Sequence, residues 1–105
     1  MALNKFICTG RLVADPEMRR TSSGTAVCTF ALAVERDYKN KTGKYDADFP
    51  KFIAWDKLAE RVKQYFVKGK MAHVVGRFST RKYEVNGEKK TTNEFILENI
   101  YFAEK

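Results

Sequence analysis

Strand-like runs of β-branched and aromatic residues dominate this chain, and apolar residues fall at helical spacing in one place only. Phe6-Ile7-Cys8-Thr9-Gly10-Arg11-Leu12-Val13 predicts a first strand, stopped by the turn pair Asp15-Pro16. Arg19 to Gly24 is a polar connection. Ala26 to Glu35, with Val27, Thr29, Phe30 and Val34, predicts a long second strand. Asp37 to Asp46 is charged and turn-rich with Thr42-Gly43 at its tip, and its flanking strands make it an extended hairpin arm. Phe49 to Trp55 is a third strand. Leu58, Ala59, Val62, Tyr65 and Phe66 then form one apolar helical stripe, with Asp56 placed to cap its start and Gly69 to stop it. Met71 to Tyr83 is a fourth strand, Asn86-Gly87 a hairpin turn, and Lys90 to Phe102 a fifth strand.

Three strands, a helix and two strands form the element order of the OB-fold, an all-β, five-stranded Greek-key barrel with one helix between strands 3 and 4. The 105 residues suit one such domain, spanning 1–105, with no repeat or linker. A composition of 44% apolar and 31% charged residues excludes a disordered tail. No run approaches the ~18 apolar residues that cross a bilayer. The start, Met1-Ala2-Leu3-Asn4-Lys5, lacks the features of a secretory signal, so a cytoplasmic address is expected.

Charge changes the picture more than size does. Twenty Lys and Arg against thirteen Asp and Glu leave a net charge of +7, which suits a polyanionic partner, nucleic acid before membrane. Cys8 and Cys28 lie in apolar runs and are expected as reduced, packed thiols. With the one histidine, His73, they are too few for a metal site, and neither metal nor cofactor is expected. His73 sits in an apolar strand and is expected to be structural.

Side chains two apart in a strand share a face. Phe49, Lys51, Ile53 and Trp55 therefore look one way and Pro50, Phe52 and Ala54 the other; Arg77, Ser79, Arg81 and Tyr83 share a face of the fourth strand. The arm carries Arg36, Tyr38, Lys39, Lys41 and Lys44. Interleaved aromatics and cations are what a sequence-tolerant single-strand binder needs, because every base has a face to stack on and every nucleotide a phosphate. The plainer reading of alternate aromatics is core, and Phe30, Phe78, Phe95 and Phe102 are assigned to packing. A core face would not hold Lys51 between Phe49 and Trp55, because an unpaired buried charge is too costly.

Several motifs, in order, resemble the bacterial single-stranded DNA-binding proteins: Asn4-Lys5, Gly10-Arg11-Leu12, Asp15-Pro16-Glu17-Met18-Arg19, Gly24-Thr25-Ala26-Val27 and Phe30-Ala31-Leu32-Ala33-Val34. Trp55 with Lys57-Leu58-Ala59-Glu60, then Lys68-Gly69, Gly76-Arg77, Thr80-Arg81-Lys82-Tyr83 and Thr92-Asn93-Glu94 continue it over almost the whole chain. The resemblance implies a homo-oligomer, a tetramer with a dimer as fallback, that binds single-stranded DNA in replication, recombination and repair. It implies stacking aromatics at Tyr38, Phe49, Trp55 and Tyr83 and basic positions at Lys51, Lys57, Arg81 and Lys82. With the arm and fourth-strand cations, the expected DNA contacts are Arg36, Tyr38, Lys44, Phe49, Lys51, Trp55, Lys57, Arg77, Arg81, Lys82 and Tyr83. The family's flexible linker and acidic tip are not found before Lys105. A naturally short member or a trimmed fragment is expected, without tail-mediated protein recruitment. Pro50 is a second departure, since proline favours a strand edge or bulge.

An enzyme finds no support in the sequence. Gly43-Lys44 and Gly69-Lys70 lack the rest of a phosphate loop, and no catalytic Ser/His/Asp or Cys/His set is present. The alternatives that remain are other OB-fold modules: a primosomal-type protein, an RNA-binding type or a protein-interaction barrel.

Overall fold

In a computed structural model, which describes residues 3–104, the chain forms β1 (Phe6–Leu12), β2 (Glu17–Arg20), β3 (Ala26–Lys39), β4 (Tyr45–Asp48) and β5 (Lys51–Trp55). The helix α1 (Asp56–Tyr65) follows, then β6 (Met71–Val85) and β7 (Glu88–Phe102). Met1, Ala2 and Lys105, which entered the reading of the chain ends, lie outside the described residues. Five of these strands close a barrel in the order β1-β6-β7-β5-β3, and β3 returns to β1 through Arg11↔Ala33 and Leu12↔Leu32. Only β5 and β7 run parallel. The helix lies between the third and fourth barrel strands, as the OB-fold requires.

The short strands β2 and β4 are additions to the expected order, and both pair with β3. Glu17–Arg20, in part read as polar connection, pairs with Ala26–Thr29 because its backbone can extend the sheet whatever its side chains. β3 itself continues past Glu35 to Lys39 and carries Arg36 and Tyr38 into the arm. β5 begins one residue after Pro50, whose carbonyl still accepts the Leu32 N–H at 3.2 Å. A proline can accept in a ladder but not donate.

Alternation fills the barrel with one set of residues. Phe52, Ala54, Leu32, Cys28, Val74, Ala72 and Ile100 are fully buried. Phe52 lies 5.2 Å from Phe6, 5.4 Å from Phe30 and 6.1 Å from Phe95, centroid to centroid. The helix buries Ala59 and Val62 over one end, and Phe66 follows them inside. Both cysteines are free, and burial raises the pKa of each.

Three expectations are corrected here. Asp56 is the first helical residue and not its cap; Trp55 occupies that position and supplies no side-chain cap bond. Gly69 has a left-handed φ of 87°, but the helix ends at Tyr65, so Gly69 serves the turn closed by Lys70 N–H to the Val67 carbonyl at 3.1 Å. Phe78 and Phe102 are exposed although each touches a core ring: Phe78 is edge-on to Phe95 at 5.7 Å, and Phe102 stacks on Phe66 at 4.9 Å. Phe78 lies on β6 beyond Gly76, the last residue paired with β1, and Phe102 is the final residue of β7. His73 is exposed on the outside of β6, where its Nδ1 lies 2.7 Å from Thr9 Oγ1.

Closure brings backbones very near each other at two glycines. A Cβ on Gly76 would meet the Ile96 carbonyl oxygen and the Phe6 ring, and one on Gly10 would meet the Ala33 carbonyl oxygen. Gly76→Ala should cost ~1–3 kcal/mol or more, as overpacking does, lowering the melting temperature by about 4–8 °C for each kcal/mol. Gly43→Asn, at an open turn with φ 84°, should cost far less because asparagine tolerates that conformation. Thermal unfolding of the two variants decides it; equal midpoints would show that closure does not depend on Gly76.

Candidate nucleic-acid interface

The outer face of the barrel is assembled by register. Arg77, Ile96, Ile53, Thr29 and Glu17 form one row across β6, β7, β5, β3 and β2. Trp55, Val27 and Arg19 form a second. On β5, Lys51 and Trp55 are exposed while Phe52 and Ala54, between them in sequence, are fully buried. Trp55 is 42% exposed, and its neighbour Val27, though buried, stands outside the core cluster.

Two depressions flank β5. An open groove of about 590 Å³ holds Lys51, Ile53, Arg81, Arg19, Glu17 and Glu94 along its lining. Arg81 is not free there: its Nε lies 3.3 Å from Glu94 Oε2, and its guanidinium sits 5.8 Å from the Tyr83 ring centre. A wider recess of about 760 Å³ lies between the β2–β3 turn and the helix start, lined by Arg20, Thr25, Trp55 and Lys57. Between Trp55 and Lys57 the chain turns through Asp56 at φ 57°, a left-handed conformation that is uncommon for any residue but glycine. That turn lets Trp55 end a strand facing outward while the next residue begins a helix.

The arm carries a third group. Arg36 grips Asp48 with two bonds, Nη2 to Oδ1 at 2.9 Å and Nε to Oδ2 at 3.3 Å. The hydrogen bond from Arg36 is the main reason the Asp48 carboxyl is held below its ordinary value, and Asp48 raises the Arg36 pKa in return. Tyr38 is 65% exposed on the same strand. Lys44 is exposed beside a tip built by Asn40, whose Oδ1 accepts from the Thr42 and Lys44 N–H groups at 2.9 and 3.0 Å. Phe49, just before Pro50, is 63% exposed.

The sequence-selected residues thus fall into neighbouring groups: Lys51 with Arg81 in the groove, Tyr83 beside Arg81, Trp55 with Lys57 in the recess, and Arg36, Tyr38 and Lys44 on the arm. Arg77 lies in the first cross-sheet row. Lys82 is not brought in with them, since by strand alternation it takes the opposite face of β6 from Arg81 and Tyr83. Among the described residues, Lys51, Lys57, Arg77 and Lys82 form no ion pair. Two exposed features escaped sequence reasoning. Arg19 joins the groove through the unexpected strand β2. Tyr45 is 51% exposed opposite Lys39 on the arm; its position two residues past Gly43 was the available signal. Among the described residues no cluster of three His, Cys, Asp or Glu is placed to hold a metal, and no helix is long and apolar enough to cross a membrane.

Comparison with known proteins gives this outer face its context. A family model described as the single-strand binding protein family matches residues 3–103. Over 103 residues, 97% of this chain, it is 44% identical to single-stranded DNA-binding protein 3 of Listeria innocua, covering 64% of that protein. It is 42% identical to single-stranded DNA-binding protein A of Bacillus subtilis over 60% of that protein's length. It is 45% identical to single-stranded DNA-binding protein 1 of Staphylococcus aureus over 66% of its length. The chain therefore spans 60–66% of these relatives. With an OB-fold barrel and a match across nearly all its residues, the chain belongs to the single-strand binding protein family.

Proposed function

We propose that this chain binds single-stranded DNA without sequence preference and protects it during replication, recombination or repair. Tyr38, Phe49, Trp55 and Tyr83 stack bases, and Arg36, Lys44, Lys51, Lys57, Arg77 and Arg81 neutralise phosphates, while Lys82, on the opposite face of β6, adds only to the general positive charge. The activity is binding without catalysis, in the cytoplasm. The observation that carries the proposal is the two-sidedness of β5: Lys51 and Trp55 stay exposed on a strand whose other face is completely buried. A cation and a large ring held in water side by side offer a nucleotide both of its contacts.

Affinity should divide between the two chemistries. Oligo-dT should quench Trp55 fluorescence, and Trp55→Ala should weaken binding by ~1–3 kcal/mol, one stacked base. Log affinity should fall linearly with log salt, by about 0.7 per phosphate neutralised. Arg81→Ala should reduce that slope by no more than about 0.7, since Glu94 already compensates part of the charge. Tyr83→Ala should weaken binding and leave the slope nearly unchanged. Duplex of equal length should bind far more weakly at about 0.2 M salt, because its bases are already stacked. Equal affinity for duplex, or unchanged Trp55 emission at saturation, refutes the reading.

We also propose a homo-oligomer, a tetramer or at least a dimer, assembled through the outside of β1, β6 and β7. Ile7 is 76% exposed there, flanked on β6 by Val75, and Tyr101 is exposed on β7. The charges bordering this face are already paired, Arg11 with Glu104 at 3.0 Å and Lys5 with Glu98. An apolar patch edged by internally neutralised charge suits a second copy better than a polyanion. Light scattering at micromolar concentration should give a multiple of the 12.1 kDa protomer mass, and Ile7→Asp should reduce it. A mass of 12.1 kDa for the unaltered chain excludes the assembly.

A further inference from the structure

Tyr45 and Lys39 are direct cross-strand partners in the β3–β4 arm. The Lys39 Nζ lies 5.9 Å from the Tyr45 ring centre, the outer limit of a cation–π contact, and the ring stays 51% exposed. Tyr38 immediately precedes Lys39 in an extended strand, so it faces the other way. The arm is therefore aromatic on both of its faces. Their charges differ. On the Tyr38 face, Arg36 is locked in its two-point bond to Asp48. On the Tyr45 face, Lys39 forms no ion pair among the described residues; Asp37 and Glu35 alternate to that face as well, Glu35 lying toward the barrel opposite Ala47. The available cation thus stands beside the aromatic ring that the binding reading above does not use.

We infer that the arm holds single-stranded nucleic acid on both faces, with Tyr45 and Lys39 forming a second stacking-and-phosphate site opposite Tyr38. This inference rests on the single-strand binding proposed above. A base stacks on the exposed side of the Tyr45 ring, and Lys39, on a flexible four-carbon stem, turns from the ring edge to the adjoining phosphate. A strand that has passed Tyr38 returns over the other face, so each protomer engages two separated segments.

The test compares short and long strands, because a site on the far face is reached only by DNA longer than the first segment. With about 4–16 nucleotides occupied per OB-fold, oligo-dT of about 8 stays within the first segment and oligo-dT of about 35 extends beyond it. Binding is measured by fluorescence-labelled oligonucleotide anisotropy for the unaltered chain, Tyr45→Leu, Tyr45→Phe and Lys39→Gln, each first shown to melt like the parent. Tyr45→Leu should leave the short-strand affinity unchanged, weaken the long strand by roughly 5- to 100-fold, and reduce the nucleotides bound per protomer. Tyr45→Phe should match the parent, because the ring and not the hydroxyl stacks. Lys39→Gln should flatten the salt dependence for the long strand only. Equal loss at both lengths would place Tyr45 on the first path and overturn the second site; so would no loss at either length, or a change of protomer number in its place. If the unaltered chain binds neither strand, the underlying reading has failed, and that result is distinct from these.

Discussion

A sheet of five strands can close only if its interior is filled by side chains and its backbones come close at the seam. Both demands fall on β1, which pairs with β6 along one edge and with β3 along the other. Gly10 and Gly76 admit neighbouring carbonyls where a Cβ would collide. Phe6, paired with Gly76, reaches inward to Phe52 and Phe95. Once that cluster occupies the interior, alternation leaves no choice about β5: Phe52 and Ala54 go in, so Lys51, Ile53 and Trp55 go out. A slip of one residue would bury Lys51 and expose Phe52, exchanging the whole set. The outward display of ring and cation is thus a by-product of closure, held by core packing and needing no contacts of its own.

Net charge alone would not locate a binding surface. Among the described residues Lys5, Arg11, Arg20, Arg36 and Arg81 each lie within ion-pair distance of a carboxylate. Exposed pairs of this kind add little stability, but they decide where positive potential is available. Lys51, Lys57, Arg77 and Lys82 keep theirs. In the binding proposed above, Arg81 and Arg36 would release a carboxylate before engaging a phosphate, an exchange of partners. Glu94 and Asp48 meanwhile hold these guanidinium groups where they stand.

Much of this was legible in the sequence because periodicity and turn chemistry are local. The helical stripe from Leu58 to Phe66, the Asn86-Gly87 hairpin and the two faces of the third strand needed no tertiary information. What was not legible is what depends on distant partners. Glu17–Arg20 is too polar to announce a strand and becomes one because β3 offers it an edge. Phe78 and Phe102 look like core by composition, yet Phe78 lies on β6 beyond its pairing with β1 and Phe102 ends β7, and each ring keeps one side in water. Asp56 suits a cap, but β5 runs directly into the helix through a left-handed turn at that residue, so Trp55 occupies the cap position instead. Tyr45 was passed over because the face it occupies depends on a register that shifts between Glu35 and Lys39.

That shift bears on how the arm and barrel act together. β3 runs without a break from Ala26 to Lys39, so its buried half is anchored in the core while its outer half forms one side of the arm. A flexible loop carrying Tyr38 would lose conformational entropy on every binding event; a strand continuous with the core has lost most of it on folding. The bulge between Glu35 and Lys39 adds local twist, which re-aims side chains at the point where the sheet leaves the barrel. Val27, on the same strand, pairs with Trp55, so the arm and the recess are joined through a single element. Their spacing is therefore set by the backbone of β3, and under the proposed function a DNA strand lying across both would meet a surface whose geometry exists before it arrives.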